Sequence, residues 1–235
     1  MGIALITGGS RGLGRELAAT LLDRGWAVVI DARDAAALAD AESDLGKLRR
    51  GAAELIAVPG DVTDGSHREA LLAAVERLGG LDLLVNNAST LGATPLPELA
   101  DYPLDALRRA YEVNVIAPVA LAQAALPLLR RSDDPRIINV SSDASVEAYE
   151  GWGGYGSSKA ALDHLSAVLA VEEPGVRVWA VDPGDMATQM QQNAFPGEDV
   201  SDRQQPGEVV AVLVTLIDGP RPSGRYRASE IGVAR

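Results

Sequence analysis

Short apolar runs closed by glycine, proline or small polar residues alternate along this chain with longer stretches whose apolar positions recur at helical spacing. Ile3 to Thr7 is one such run, ending in glycines, and Arg15 to Arg24 then sets Leu17, Ala18, Leu21 and Leu22 on one helical face. Trp26 to Ile30 predicts a second strand. Ala35 to Leu48 predicts an alanine-rich helix with Asp34 placed to cap it, and Leu55 to Val58 a third strand stopped by Pro59-Gly60. His67 to Leu78 reads as a helix, Leu81 to Asn86 as a strand, Leu104 to Leu129 as a long helix bent at Pro118 and Pro127, and Ile137 to Ser141 as a further strand. Tyr155 to Val171 and Val176 to Val181 repeat the helix-strand unit. A helix follows around Val209 to Ile217, and the tail is expected to add a last strand with its final residues frayed. Wholly apolar strands alternating with helices build a parallel sheet covered on both faces, so the expected architecture is α/β and doubly wound.

Length and composition refine this picture. The 235 residues suit one domain with a sizeable core, and with aromatics at 4% that core is aliphatic. Asn193 to Gly207, rich in Gln, Pro, Asp and Gly, breaks the pattern and reads as a mobile loop, part of a lid at about 186–207. A formal charge of -12 repels phosphate backbones and anionic lipid, which argues against nucleic acid or a membrane surface as partner. The absence of cysteine removes disulfides, thiolate metal sites and cysteine nucleophiles, and His67 and His164 are isolated, so no metal is expected. The chain runs straight into Ile3-Ala4-Leu5-Ile6 without a basic leader, and no later apolar stretch reads as long enough to span a bilayer. The cytoplasm is the expected compartment.

Candidate chemistry sits at two places. Tyr155 and Lys159 are four residues apart on one face of a predicted helix, so an ammonium can stand near a phenol and favour its ionised form. Ser142, thirteen residues before Tyr155, ends an apolar run and can hold a carbonyl oxygen beside that phenol, an arrangement suited to carbonyl reduction or its reverse. Upstream, Gly8, Gly12 and Gly14 close a strand and open a helix, where glycines let backbone amides approach a pyrophosphate.

The spacing T-G-x-x-x-G-x-G in Thr7 to Gly14, with Asn86-Asn87-Ala88, Asn114, Ser142, Tyr155-x-x-x-Lys159 and Pro183-Gly184, resembles the short-chain dehydrogenase/reductase superfamily over roughly Ile3 to Thr188. The resemblance implies a Rossmann-type sheet and a nicotinamide cofactor held by Gly8, Ser10, Arg11, Gly12, Leu13 and Gly14. It implies Asp61 and Val62 at the adenine, Asn87 and Ala88 at the ribose, and Pro183, Gly184, Met186 and Thr188 at the nicotinamide carboxamide. It further implies Tyr155 as proton donor, Lys159 as its electrostatic partner and ribose ligand, Ser142 on the substrate oxygen, and Asn114 keeping a water that links Lys159 to solvent. Where NAD-dependent members are acidic this chain has Ala32 followed by Arg33; with Arg11, that implies NADP(H) rather than NAD(H). Ser89 stands where the family usually has glycine, which puts the local backbone shape in question. The expected function is NADPH-dependent reduction of a small ketone or aldehyde. An NAD-dependent alcohol dehydrogenase and a catalytically silent NADP(H)-sensing protein are the alternatives. Tyr149, Trp152, Met186, Met190 and Phe195 are candidate walls of a mostly apolar substrate pocket, and a homodimer or homotetramer is expected by resemblance.

Overall fold

Alternation along β1 (Ile3–Ile6) already decides the layering: Ala4 and Ile6 face one core, Ile3 and Leu5 the other. The same division runs through β2 (Ala27–Ala32) and β4 (Leu83–Asn86). In this computed structural model, which describes residues 2–232, seven parallel strands pair in the order β3-β2-β1-β4-β5-β6-β7. The remaining strands are β3 (Leu55–Pro59), β5 (Arg136–Val140), β6 (Arg177–Asp182) and β7 (Gly224–Arg227). On one face lie α1 (Gly12–Asp23), α2 (Ala35–Leu45) and α8 (Pro206–Asp218). On the other lie α3 (Gly65–Arg77) and α5 (Ala117–Leu129), with the end of α6 (Gly153–Glu172) packed against them. Each fully buried leucine or isoleucine of these two cores contributes about 1.5–3 kcal/mol of transfer free energy.

The strand order reverses direction between β1 and β4, and their carboxyl ends part there to leave a crevice, the usual ligand position in such sheets. Thr7 pins the two ends together: its hydroxyl donates to the Val85 carbonyl and accepts from the amides of Asn87 and Ala88, both at 3.0 Å.

The expected strands and helices are present, with Asp34 capping α2 through the amides of Ala36 and Ala37. The long helix is interrupted differently from the expectation. α4 (Leu104–Tyr111) passes into a π-helical turn over Glu112–Ile116 before α5, just ahead of Pro118. Pro118 offers no N–H to the carbonyl of Asn114 four residues earlier, so the ladder widens there instead of bending at the prolines. Leu104–Leu129 is also long and apolar enough by composition to cross a membrane, contrary to expectation; here Leu121, Ala125 and Leu129 of α5 are fully buried in the second core. The expected lid segment contains a short helix, α7 (Gln189–Ala194), and its ends are tied where the Ala187 amide donates to the Gln204 carbonyl at 2.9 Å. β7 is the last strand expected; the terminal residues anticipated as frayed lie outside the described ones.

Candidate active site

A cleft of about 1490 Å³ runs across the carboxyl ends of the strands, from Arg33 and Asp61 at one end to Trp152 and Phe195 at the other. Gly8 and Gly12 adopt φ of +70° and +56°, and a Cβ on Gly8 would lie 3.0 Å from the backbone of Ala88, so only glycine fits. Gly14 does not line the cleft: a Cβ there would meet Asn87 Nδ2 at 2.5 Å and the Gly8 carbonyl at 2.6 Å, so this glycine serves packing of the turn on β4. Asn87 Nδ2 donates to the carbonyls of Thr7 and Gly8, holding the turn from behind. The first amides of α1 have no side-chain cap and the first turn holds no acidic residue, leaving donors free for an anionic group. These features fit a dinucleotide pyrophosphate.

Asp31 borders the cleft beside Ala32, but its carboxylate is engaged within the protein. It is 2% exposed; one carboxylate oxygen accepts from the Gly8 amide at 2.7 Å and the other contacts His67 Nε2 at 3.0 Å. His67, read as isolated from sequence, is therefore the buried partner of Asp31, seated where a Cβ on Gly60 would collide with its ring. Asp34, the other carboxylate nearby, is engaged in capping α2. Arg11 and Arg33 are exposed on the cleft, and among the described residues neither forms an ion pair.

Asp61 and Val62 line the same end, yet the Asp61 side chain is already engaged. It accepts from the amide and hydroxyl of Thr63 and from Arg109 Nη2 at 2.5 Å, which hold its carboxyl down at about 2 against the opposing effect of burial. One oxygen of Asp61 thus serves Thr63 and the other Arg109 of α4, so any contact to adenine is made by a carboxylate already fixed in place.

Asn114 sits in the π-turn, fully buried and outside the cleft lining. Its Oδ1 accepts from Ser89 Oγ and the Thr90 amide; its Nδ2 donates to the Thr90 carbonyl and to Ser158 Oγ, all within 3.1 Å. The side chain therefore staples the loop after β4 to α6. Ser89 is accommodated without strain, since no non-glycine among the described residues has a positive φ, and its hydroxyl donates to Asn114 Oδ1.

Ser142, Tyr155 and Lys159 meet on the cleft floor. α6 begins at Gly153, so Tyr155 and Lys159 share its sheet-facing side, 7% and 2% exposed. The sequence led to a phenol pKa below normal through the ammonium; in the fold, burial works against that. Burial raises the Tyr155 pKa well above the usual phenol value, outweighing hydrogen bonding from Ser142 and Ser89, with the charges of Asp143 and Asp182 adding to the rise. Lys159 Nζ donates to the Val140 carbonyl at 2.7 Å and lies over the Tyr155 ring, 5.6 Å from its centroid. Burial lowers the Lys159 pKa to about 8, with Asp163 opposing. The resulting phenol is a proton donor in waiting, and Ser142 Oγ donates to Asp143 Oδ1 at 3.0 Å.

Two supporting residues were missed from sequence. Asp163, one turn beyond Lys159, accepts from Ser145 Oγ at 2.6 Å and from Arg225 Nε at 2.8 Å. Arg225, on β7, also donates to the Ser142 carbonyl at 3.0 Å, so the last strand holds the serine loop from behind. The i+4 spacing could have suggested Asp163; nothing local pointed to Arg225. Arg225→Ala is expected to cost about 2–3 kcal/mol, because it strips a half-buried carboxylate of its partner. Denaturant midpoints check this, and turnover should fall about tenfold.

The segment Pro183 to Thr188 turns at Gly184, φ +74°, whose amide donates to Asp182. Thr188 caps α7 and faces the glycine turn, its methyl 3.5 Å from where a Cβ on Gly12 would stand. Pro183, Gly184, Met186 and Thr188 line the cleft with Ser10 and Leu13, as do Asn87 and Ala88. Among the described residues no group of three or more His, Cys, Asp or Glu is arranged for a metal ion.

Residues 2–199 match the short chain dehydrogenase family, and the chain belongs to it as an oxidoreductase of that kind. It is 39% identical over 196 residues to a rhamnolipids biosynthesis 3-oxoacyl-[acyl-carrier-protein] reductase of Pseudomonas aeruginosa, covering 80% of this chain and 74% of that protein. It is 36% identical over 201 residues to a benzil reductase ((S)-benzoin forming) of Saccharomyces cerevisiae, covering 81% and 74%. A short chain dehydrogenase structure from Shigella flexneri, complexed with NADP, superimposes with a TM-score of 0.88 at 28% identity over 97% of both chains. The family binds NAD(P)(H) and acts on small molecules.

Proposed function

We propose that the protein reduces a small ketone or aldehyde with NADPH, reversibly, within a single domain whose segment 186–207 covers the substrate end of the cleft. The observation that carries this reading is a buried Tyr155 on the cleft floor with Ser142 and Lys159, at the opposite end of one cleft from two unpaired arginines. A bound nicotinamide nucleotide supplies the hydride. Gly12, Leu13 and the open α1 terminus receive the pyrophosphate, and Arg11 and Arg33 receive the 2′-phosphate. Ser142 donates to the substrate carbonyl, and Tyr155 passes its proton to that oxygen as negative charge develops there. Lys159 holds the ribose hydroxyls, and Asn114, through Ser158 and the loop at Ser89, fixes the distance between α6 and the cofactor crevice. The NADP-complexed neighbour and the benzil reductase relative are in keeping with this reading. Exposed Leu104, Ile116, Leu165, Val168 and Val171 on α4, the π-turn and α6 support a homo-oligomer joined through those helices.

Mixing the purified protein with NADPH and a panel of neutral ketones and aldehydes, and following nicotinamide absorbance, tests the reading; no turnover across a broad panel would overturn it. Lys159 adds a pH dependence. Its folded pKa of about 8 lies below the unfolded 10.5, so the native state gives up this proton first. Its contribution to stability is therefore unfavourable below about pH 8 and improves as pH rises toward 10.5. Nucleotide affinity has the opposite trend: as the ammonium is lost, the NADPH Kd is expected to rise above about pH 8, and burial pushes the Tyr155 phenol in the direction that keeps it from titrating alongside. Fluorescence titrations from pH 6 to 10 should show this limb in the native protein and a flat profile in Lys159→Met.

A further inference from the structure

The substrate end of the cleft is apolar with one unbalanced charge. Leu91, Trp152, Met190 and Phe195 pack around Tyr155, with the Trp152 ring edge-on to the phenol at 5.6 Å and tilted against Phe195 at 5.9 Å. That wall accepts a flat or bulky apolar group beside the carbonyl. The charged groups facing this end are Asp143, Asp182, Asp185 and Lys159. Lys159 is buried and directed at Val140; Asp182 is flanked by Arg225 and Arg227 at 3.6 and 3.7 Å; Asp185 pairs with Arg203 at 3.2 Å. Arg203 also pairs with Glu198 and lies behind the Phe195 ring, outside the cleft lining.

Asp143 is the exception. Its Oδ1 accepts from the Ala144 amide at 2.8 Å and Ser142 Oγ at 3.0 Å, and its Oδ2 from Tyr149 Oη at 3.0 Å. Among the described residues no cation lies within ion-pair distance of it, and it borders the cleft next to Ser142. Hydrogen bonds fix this carboxylate in place without neutralising it. Held by Ser142 at the cleft wall, the charge acts on whatever sits between Ser142 and Tyr155.

We propose that Asp143 is a specificity-determining residue that excludes anionic substrates, so that this site takes neutral or cationic aryl or bulky alkyl ketones and aldehydes and rejects oxo acids. The substrate class rests on the carbonyl-reductase reading above; the charge selectivity does not. A substrate carboxylate attached directly to the reacting carbonyl enters the same end of the cleft as Asp143, where like charges across a partly solvated site disfavour binding about tenfold to a hundredfold.

The test uses a matched pair, methyl benzoylformate and benzoylformate, with NADPH at pH 7, in the native protein, Asp143→Asn, Asp143→Ser and Glu150→Gln. Glu150 lies on the same loop outside the cleft lining and controls for net charge alone. The ester-to-acid ratio of kcat/KM should fall about tenfold or more in both Asp143 variants and stay unchanged in Glu150→Gln. In parallel, binding of benzamide and benzoate to the NADPH-loaded proteins is read by fluorescence, which needs no turnover. A native protein that does not discriminate the members of either pair, that binds neither aromatic, or whose ratios survive both Asp143 substitutions overturns the proposal. If no carbonyl of the broad panel above is reduced while the benzamide-to-benzoate preference still falls in the Asp143 variants, the carbonyl-reductase reading is lost and the charge selectivity stands.

Discussion

Tyr155→Phe is expected to lower turnover at least about a thousandfold while leaving the NADPH Kd within about threefold of the native value, because the change removes only the transferable proton. The ring remains packed against Trp152 and beneath Lys159, so the fold and the cleft floor are retained. Without the phenolic hydrogen, the developing alkoxide keeps only the Ser142 hydroxyl, itself drawn toward Asp143. Single-turnover mixing of the variant with NADPH and a ketone separates the chemical step from binding. Near-native turnover would sink the assignment of Tyr155 as donor. Loss of both binding and turnover would show instead that the hydroxyl holds the site together. A phenol buried in its protonated form serves reduction directly; in the oxidising direction the same burial makes it a reluctant base, so oxidation should require higher pH than reduction.

The second large effect concerns cofactor choice. Arg33→Asp combined with Arg11→Ser should weaken NADPH binding by about 10² to 10⁴, since each of the two charge-assisted contacts to the 2′-phosphate is worth about 1.5–3 kcal/mol. NADH binding should hold or improve, because the new carboxylate at the end of β2 can accept the ribose hydroxyls. Side-by-side fluorescence titrations give the ratio, and an unchanged preference would remove both arginines from the recognition of the phosphate. Neither side chain is tied into an ion pair, so their loss leaves no buried charge unpaired and the fold has little to lose. Asp31→Ala is a different matter: that carboxylate supports the glycine turn through the Gly8 amide, and its removal would weaken both nucleotides alike.

The sheet was legible because its strands are apolar on both faces and its turns are written in glycine and proline, signals that are local in the chain. The same holds for the pairing of Tyr155 with Lys159, fixed by helical periodicity, and for the glycine turn, whose positive φ values only glycine takes without strain. Ser89 shows the limit. From sequence it threatened the backbone; in the fold its φ is ordinary and its hydroxyl joins Asn114. His67 and Asp31, apart in the chain by 36 residues, meet only because β2 and α3 pack together.

What the sequence by itself determined is therefore the order of elements, the family and the identity of the residues that can do the chemistry, because periodicity and spacing act over one or two turns. The tertiary structure decided the electrical state of those residues. Which way burial pushes Tyr155, where the Lys159 ammonium points, which carboxylates are paired and which, at Asp143, has no cation beside it all depend on burial and on partners from distant parts of the chain. Arg225 reaches Ser142 from 83 residues away, and no local pattern carries that information.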